Sequence, residues 1–219
     1  MKTQLIVTAA AFALLAMSAS AQAAQFNASA GAVSGNIDGF TFQQTPRGLY
    51  GGAGARIGAY TGLQTSAGVN FGSLLFGLNV MKSTSGVQVD DVSASAGYAI
   101  PISHDFVITP GLQWGVQHVD GQSYTRTAAT VGVSYAINQQ WVLTSSVALG
   151  RVHGTLDVLG RTYGDYRAGQ IGVNFTPSPA VGTFTFAFAD QVTQTANLPG
   201  LGDQSMRNRA VSLTYSHAF

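Results

Sequence analysis

The sequence predicts an all-β fold, a transmembrane antiparallel up-and-down β-barrel of ten strands, with eight or twelve strands as the alternatives. Apolar and small polar residues alternate with a period of two through most of the chain, as they do in strands with one apolar face. Charged residues make up only 9% of the sequence, whereas a soluble domain carries roughly a quarter. Short and long connections alternate between the predicted strands, as in barrels of the outer membrane.

The N-terminal residues have the features of an export signal. Lys2 supplies a positive start, residues 5–17 form a short apolar run, and Ala21-Gln22-Ala23 has the small residues of a cleavage site. The run is too short to span a bilayer as a helix. We therefore expect residues 1–23 to be a cleaved signal peptide and residues 24–219 to form one outer-membrane barrel domain.

The last predicted strand shows the alternation most clearly. Val211, Leu213 and Tyr215 lie on one face, and Ser212 and Thr214 lie on the other. Other segments repeat this pattern between clusters of turn residues. The predicted strands are 25–34, 48–60, 68–82, 87–100, 105–118, 126–137, 141–152, 166–176, 181–191 and 207–219.

The pattern is least regular between residues 48 and 82. We expect a turn at 61–67 and a single strand at 68–82, in which the apolar parity switches near Gly72 and Ser73. A β-bulge would produce that switch because it inserts one extra residue into the strand. A tight turn at the same place is the alternative, and it would change the strand count.

The lengths of the connections predict how the barrel is oriented. The short ones fall at 61–67, 101–104, 138–140 and 176–180, and the longer ones at 35–47, 119–125, 153–165 and 192–206, with 83–86 as an exception. Outer-membrane barrels have short periplasmic turns and longer outside loops. We therefore expect the outer membrane of a Gram-negative-type envelope, with both chain termini in the periplasm.

The charges exclude several classes of function. The net charge is +1 and no basic patch exists, so nucleic acid is not an expected partner. The chain has no cysteine, which excludes disulfides and thiolate chemistry. Most charged residues fall in predicted loops or at strand ends, and only Arg56 falls in mid-strand, with its side chain predicted inside. A soluble β-sandwich, the alternative fold, would not require this segregation.

The strand Leu49–Ala55 and the end of the chain, Leu213–Phe219, resemble the small bacterial outer-membrane β-barrel proteins, which include OmpA-type, OmpW-type and opacity barrels. In that family a terminal Phe, with apolar residues at alternate positions before it, is read by the barrel-assembly machinery. The resemblance implies that Leu213, Tyr215 and Phe219 form this assembly signal. His217 departs from the pattern, and no motif selects a subfamily.

Enzymes occur among such barrels, and the chain has some residues that water activation would need. Asp90 and Asp91 lie at the top of one predicted strand, and His118 and Asp120 lie at the top of the next. His153 and Asp157 lie in a predicted loop. Omptin-type proteases use comparable residues, but adjacent residues in a strand point to opposite faces. The chain is also too short for the tall extracellular extension of that family. We therefore expect no enzyme and no catalytic residues.

Metals and cofactors are not expected either. The four histidines fall at opposite ends of the predicted barrel without ligand spacing. A phospholipase would need a serine and a third polar residue beside a histidine. No serine is placed as such a partner for the one histidine predicted to face lipid, His217. The histidines are His104, His118, His153 and His217.

The face predicted to line the lumen carries mainly small polar residues. Its few larger members could line a narrow pore for small solutes, in which Arg56 would set selectivity. Alternatively, the barrel is a passive structural protein, or a surface adhesin that acts through loops 35–47 and 192–206. The expected partners are outer-membrane lipid and the barrel-assembly machinery, and we expect a monomer. The predicted pore-lining residues are Arg56, Gln113, Gln117, Gln170 and Asn174.

Overall fold

A computed structural model describes most of the mature chain predicted above. The described residues are 24–39, 42–45, 48–51, 56–119, 122–156, 160–178, 180–198 and 202–219. The predicted signal peptide, 1–23, lies outside them. Among the described residues no helix is long and apolar enough to cross a bilayer.

The described residues form antiparallel strands that join their sequence neighbours and close into a barrel of ten strands. The circle closes where β13 pairs with β1, and the only separate sheet in the described part of the chain is the β2–β3 hairpin. The strands are β1 (Gln25–Gly39), β2 (Phe42–Thr45), β3 (Gly48–Gly51), β4 (Arg56–Phe71), β5 (Leu74–Gly86), β6 (Val89–Tyr98), β7 (Ile100–Pro101), β8 (Phe106–Val119), β9 (Gln122–Ala136), β10 (Trp141–Leu156), β11 (Gly160–Ser178), β12 (Gly182–Leu198) and β13 (Gly202–Ala218).

β6 and β7 together form one strand of the barrel, interrupted for a structural reason. Gly97 pairs with Gly111, and Ile100 pairs with Ile108, so the register on β8 continues across the gap. The interruption lies opposite Pro110, which has no backbone N–H to donate to the ladder. The prediction of ten strands is therefore confirmed.

The predicted boundaries between 48 and 82 are wrong. Residues 61–67 lie inside β4, and the chain turns at Gly72–Ser73 instead, where Gly72 has φ +59°. This is the tight turn held as the alternative, and the predicted bulge does not occur there. The predicted strand 48–60 divides between the β3 hairpin and β4. Glycine, serine and threonine at 61–68 look like a turn in sequence, yet Gly62 and Ser66 face the lumen, the threonines face outward, and the whole segment pairs with β1.

The strands also continue beyond their predicted ends, so the predicted long loops are too long. Most of 192–206 belongs to β12 and β13, which still pair at Leu198 and Gly202. β10 and β11 pair as far as Leu156 and Gly160 within the predicted loop 153–165. Polar and glycine residues suggested loops there, but the paired backbone needs no apolar side chain to remain a strand. β10 to β13 therefore extend further toward their connections than the sequence predicted.

The outward face of the barrel carries an apolar belt, defined here by its exposed large apolar side chains. Leu112 is 66% exposed, Phe186 56% and Leu213 57%, and each lies on the outward parity that the alternation predicted. Lipid covers such a surface in a membrane barrel. Charged side chains follow directly beyond the belt on the same outward face, at the end opposite the termini. This charged rim consists of Lys82, Asp90, Arg151, Asp165, Arg167, Asp190, Arg207 and Arg209.

The two ends of the barrel can be named by what they hold. The termini end carries Phe26 and Phe219, whose backbone groups bond to each other at 2.8 and 3.4 Å. The loop end lies opposite, beyond the charged rim.

Candidate functional site in the barrel lumen

The lumen contains a cavity of about 620 Å³. It extends toward the termini end, where Asn27 and Thr109 line it. Small side chains leave this space open, because glycine, alanine, serine and threonine occupy many of the inward positions. The hydroxyl and amide side chains that line it include Gln64, Ser66, Asn79, Ser93, Ser95, Thr130, Ser146 and Gln191.

The predicted lumen residues can now be placed. Gln113, Gln117 and Gln170 line the cavity. The Asn174 Oδ1 atom accepts a hydrogen bond from the Thr185 hydroxyl at 2.9 Å, so its amide is engaged with the neighbouring strand. Arg56 begins β4, but its side chain lies outside the described residues. That these five residues line a conducting pore stays a prediction.

A buried ion pair that the sequence did not reveal lines this cavity on its loop-end side. Asp91 on β6 and Arg126 on β9 are 6% and 5% exposed. The guanidinium binds the carboxylate with two hydrogen bonds: Nη2 donates to Oδ1 at 2.7 Å, and Nη1 donates to Oδ2. The Arg126 Cζ atom also lies 5.6 Å from the centre of the Tyr166 ring. Such a planar two-point contact fixes both side chains.

The alternation of inward and outward residues along each strand could have revealed that both charges face the lumen. Asp91 shares the face of Ser93 and Ser95, and Arg126 shares that of Thr130. The expectation that Arg56 is the only mid-strand charge is therefore wrong. β9 begins at Gln122 rather than at residue 126, so Arg126, which looked like a strand end, lies inside the barrel.

Polar bonds tie distant strands together at this level. The side-chain amide of Gln191 on β12 donates from Nε2 to the side-chain oxygen Oε1 of Gln117 on β8 at 2.9 Å, across the lumen. The Tyr60 hydroxyl on β4 donates to the side-chain oxygen Oδ1 of Asn208 on β13 at 3.0 Å. Neither pair belongs to adjacent strands. The lumen is therefore braced from side to side.

Apolar side chains fill the lumen beyond the ion pair, toward the loop end. Ile37 and Val89 are 0% exposed, Val119 is 1% and Val152 is 2%. Val89 lies two residues before Asp91 on β6, which places the fill on the loop-end side of the pair. Two apolar clusters share contact with Tyr124 and together draw residues from nine of the ten barrel strands. We call these residues the closing layer. Its inner members, which also line the cavity, are Val33, Tyr60, Met81 and Tyr166, and the others are Ile37, Val89, Val119, Tyr124, Val152 and Met206.

The sequence matches the family described as "Outer membrane protein beta-barrel domain" over residues 7–177. The chain belongs to this family. The match covers more than half of the chain and agrees with the closed sheet and its apolar belt. This outer-membrane barrel therefore has the outer membrane as its location, as the sequence predicted. A search of curated proteins found no match.

The chain is similar to several solved structures of outer-membrane proteins. The outer membrane protease OmpT from Escherichia coli is 9% identical and superposes with a TM-score of 0.55, covering 90% of this chain and 96% of that one. The outer membrane enzyme PagL is 11% identical with a TM-score of 0.42, covering 88% and 98%. OprG from Pseudomonas aeruginosa is 9% identical with a TM-score of 0.37, covering 90% and 97%. At these identities the likeness concerns the fold alone.

The remaining predicted site residues are at the termini end of the barrel. Leu213 and Tyr215 point outward in the belt, and Phe219 is 76% exposed. Their role as an assembly signal stays a prediction. No group of three or more potential metal ligands comes together within the described residues.

Proposed function

We propose that the protein is a structural outer-membrane barrel whose lumen is closed in its resting state. The closing layer carries this proposal, because side chains from nine strands fill the cross-section and its central members have no exposed surface. A hydrophobic constriction also stops ions by excluding water from the passage. The loop end, with its closing layer, is proposed to face the cell exterior.

The ion pair beneath the layer supports the closed state. Asp91 and Arg126 neutralise each other, so no free charge from this pair remains to attract an ion. Separating them would leave two buried charges without partners, which costs several kcal/mol. In this proposal the packed closing layer blocks the lumen toward the loop end, and the paired charges beneath it attract no ion.

Planar-bilayer recording of the refolded protein tests this proposal. The wild-type barrel is expected to be electrically silent. The double variant Ile37→Ser/Val119→Ser should produce discrete conductance, because the hydroxyl groups let water and ions enter the closing layer. A matched double variant on the outward face, Val131→Ser/Val147→Ser, should remain silent. Steady discrete conductance of the wild type at low voltage would overturn the proposal.

The cavity favours a second candidate, a gated narrow pore for small polar solutes. A purely structural barrel has no need of about 620 Å³ of luminal space. In this reading the closing layer moves to connect the cavity with the exterior. Liposome-swelling assays with small neutral sugars would show uptake by the wild type, and uptake should rise in Asp91→Ala because the brace is lost. No swelling with either protein would reject the gated pore.

A further inference from the structure

A row of polar side chains crosses neighbouring strands on the outward face, directly beyond the apolar belt. Asp90 on β6 pairs with His118 on β8, and His118 pairs with Ser123 on β9. All three share the outward parity of the belt residues on their own strands, such as Trp114 on β8 and Val131 on β9. Residues directly opposite each other in a sheet have Cβ atoms about 4.5–5.5 Å apart. The three side chains are therefore within reach of one another, with the imidazole in the middle.

The acidic member of this row has an unusual environment. The Asp90 Oδ2 atom accepts a hydrogen bond from the Gln88 amide at 3.3 Å. Its Oδ1 atom is buried and has no hydrogen-bond partner. A buried polar atom without a partner is costly. His118 lies directly opposite Asp90 on β8, so its ring N–H is a donor close enough to serve this oxygen, although the two side chains are not hydrogen-bonded in this structure.

We propose that Ser123, His118 and Asp90 form an ester-hydrolysing site for the acyl chains of outer-leaflet lipids. Ser123 is exposed, as a nucleophile must be, while His118 and Asp90 are half-buried. The row lies at the edge of the apolar belt, which is the depth of the ester groups of a lipid whose chains cover the belt. Lys82 on β5 pairs with Asp90 and adds a positive charge suited to a lipid phosphate.

The reaction balances with water as the second substrate. The Ser123 Oγ atom attacks the ester carbonyl carbon while His118 takes the hydroxyl proton. The bond between the carbonyl carbon and the alcohol oxygen breaks, and His118 returns the proton to the departing alcohol. Water then gives a proton to His118 and attacks the carbonyl carbon of the acyl-serine. The bond between that carbon and the Ser123 Oγ atom breaks, His118 returns the proton to Oγ, and the fatty acid leaves. Asp90 is a positioning residue that orients the imidazole.

This inference departs from the expectation that the chain is not an enzyme. That expectation relied on Asp90 and Asp91 pointing to opposite faces. They do so, but each then has its own partner: Asp91 pairs with Arg126 in the lumen, and Asp90 stands beside His118 outside. The site is independent of the lumen, so it does not depend on whether the barrel conducts.

Fatty-acid release by the refolded full-length protein tests the site. Two vesicle compositions separate the lipid sources: phosphatidylethanolamine alone, and phosphatidylethanolamine with lipopolysaccharide. Mass spectrometry of released acids should show time-dependent hydrolysis in at least one of them. His118→Gln should reduce the rate by about 100- to 10,000-fold, the range of general-base catalysis. Ser123→Ala should abolish labelling by a fluorophosphonate probe.

The chain offers a matched control at its termini end. Ser103, His104 and Asp105 carry the same three residue types, and His104 lies 2.8 Å from Asp105. Ser103→Ala should leave both hydrolysis and labelling unchanged. Absence of release from both vesicle types by protein that migrates as a folded barrel would overturn the proposal. Release that persists in Ser123→Ala would overturn it as well.

The role of Asp90 needs a readout that a structural defect would not move. Asp90→Asn should lower the rate and shift its pH profile, while the unfolding midpoint in urea changes little. Asp90→Glu should restore part of the rate because it returns the carboxylate. An unchanged pH profile in Asp90→Asn would contradict the positioning role.

Discussion

At the scale of single residues, the ion pair between Asp91 and Arg126 is the feature with the largest energetic consequence. Both groups are removed from water, and two hydrogen bonds join them. The exposed pair between Asp190 and Arg207 has similar bonding but lies at the surface. Screening by water makes surface pairs weak, so burial rather than geometry separates the two.

Asp91→Ala should destabilise the barrel by about 3–5 kcal/mol, because Arg126 is left buried without a partner. Urea unfolding in lipid, followed by tryptophan fluorescence, measures the change. The double variant Asp91→Leu/Arg126→Met should recover most of the loss, since neither charge then remains. Asp190→Ala serves as the surface control and should shift the midpoint much less. Equal losses from the two single variants would contradict the ranking.

At the scale of elements, the seam between β1 and β13 closes the barrel and tolerates little added volume. A Cβ atom on Gly31 would lie 2.1 Å from the Leu213 carbonyl oxygen. Gly169 on β11 has nothing within 4 Å of the equivalent position. The two glycines therefore have different reasons to be present, although their strands look alike in sequence.

Gly31→Ala is expected to lower stability by about 1–3 kcal/mol, because the backbone at the seam must shift to admit the methyl group. Gly169→Ala should be near neutral. Urea midpoints and the heat-modifiable migration of unboiled protein on gels give the comparison. A stable Gly31→Ala barrel would show that the seam can relax without cost.

The last strand allows a second test at this scale. Phe219 is 76% exposed, and its ring lies 5.1 Å from that of His217. Its side chain therefore has few contacts within the folded barrel, and the predicted role in assembly can be tested separately from stability. Phe219→Ser should leave the urea midpoint of refolded protein nearly unchanged, yet reduce the amount inserted in cells severalfold. Normal insertion in cells would argue against the assembly signal.

At the scale of the whole molecule, the apolar belt decides where the protein can reside. Val147 lies within the belt and is 53% exposed. An arginine in the hydrocarbon region costs about 2–4 kcal/mol near the midplane and little near the interfaces. Val147→Arg should therefore impair stability in lipid by that amount. Thr127→Arg, level with Arg151 in the charged rim, is the control and should be tolerated. Urea midpoints in lipid vesicles measure both.

Much of this fold follows from local pattern. Alternation assigned Val211 and Leu213 to lipid and Ser212 to the lumen, and the structure agrees on every one of them. The same rule failed at 61–67, where small residues on both faces gave no contrast between strand and turn. It also shortened β12 and β13, whose outer parts are paired but mostly polar, without the regular apolar alternation.

The sequence by itself determined that this protein is a ten-stranded barrel with a lipid-facing and a lumen-facing side, because a period of two is a local property. Only the tertiary structure decided that apolar side chains from nine strands meet in the lumen, that Asp91 meets Arg126, and that Asp90 stands opposite His118. Those contacts depend on the height at which separate strands align. Parity fixes the face of a side chain, whereas register, set by pairing between distant segments, fixes its neighbours.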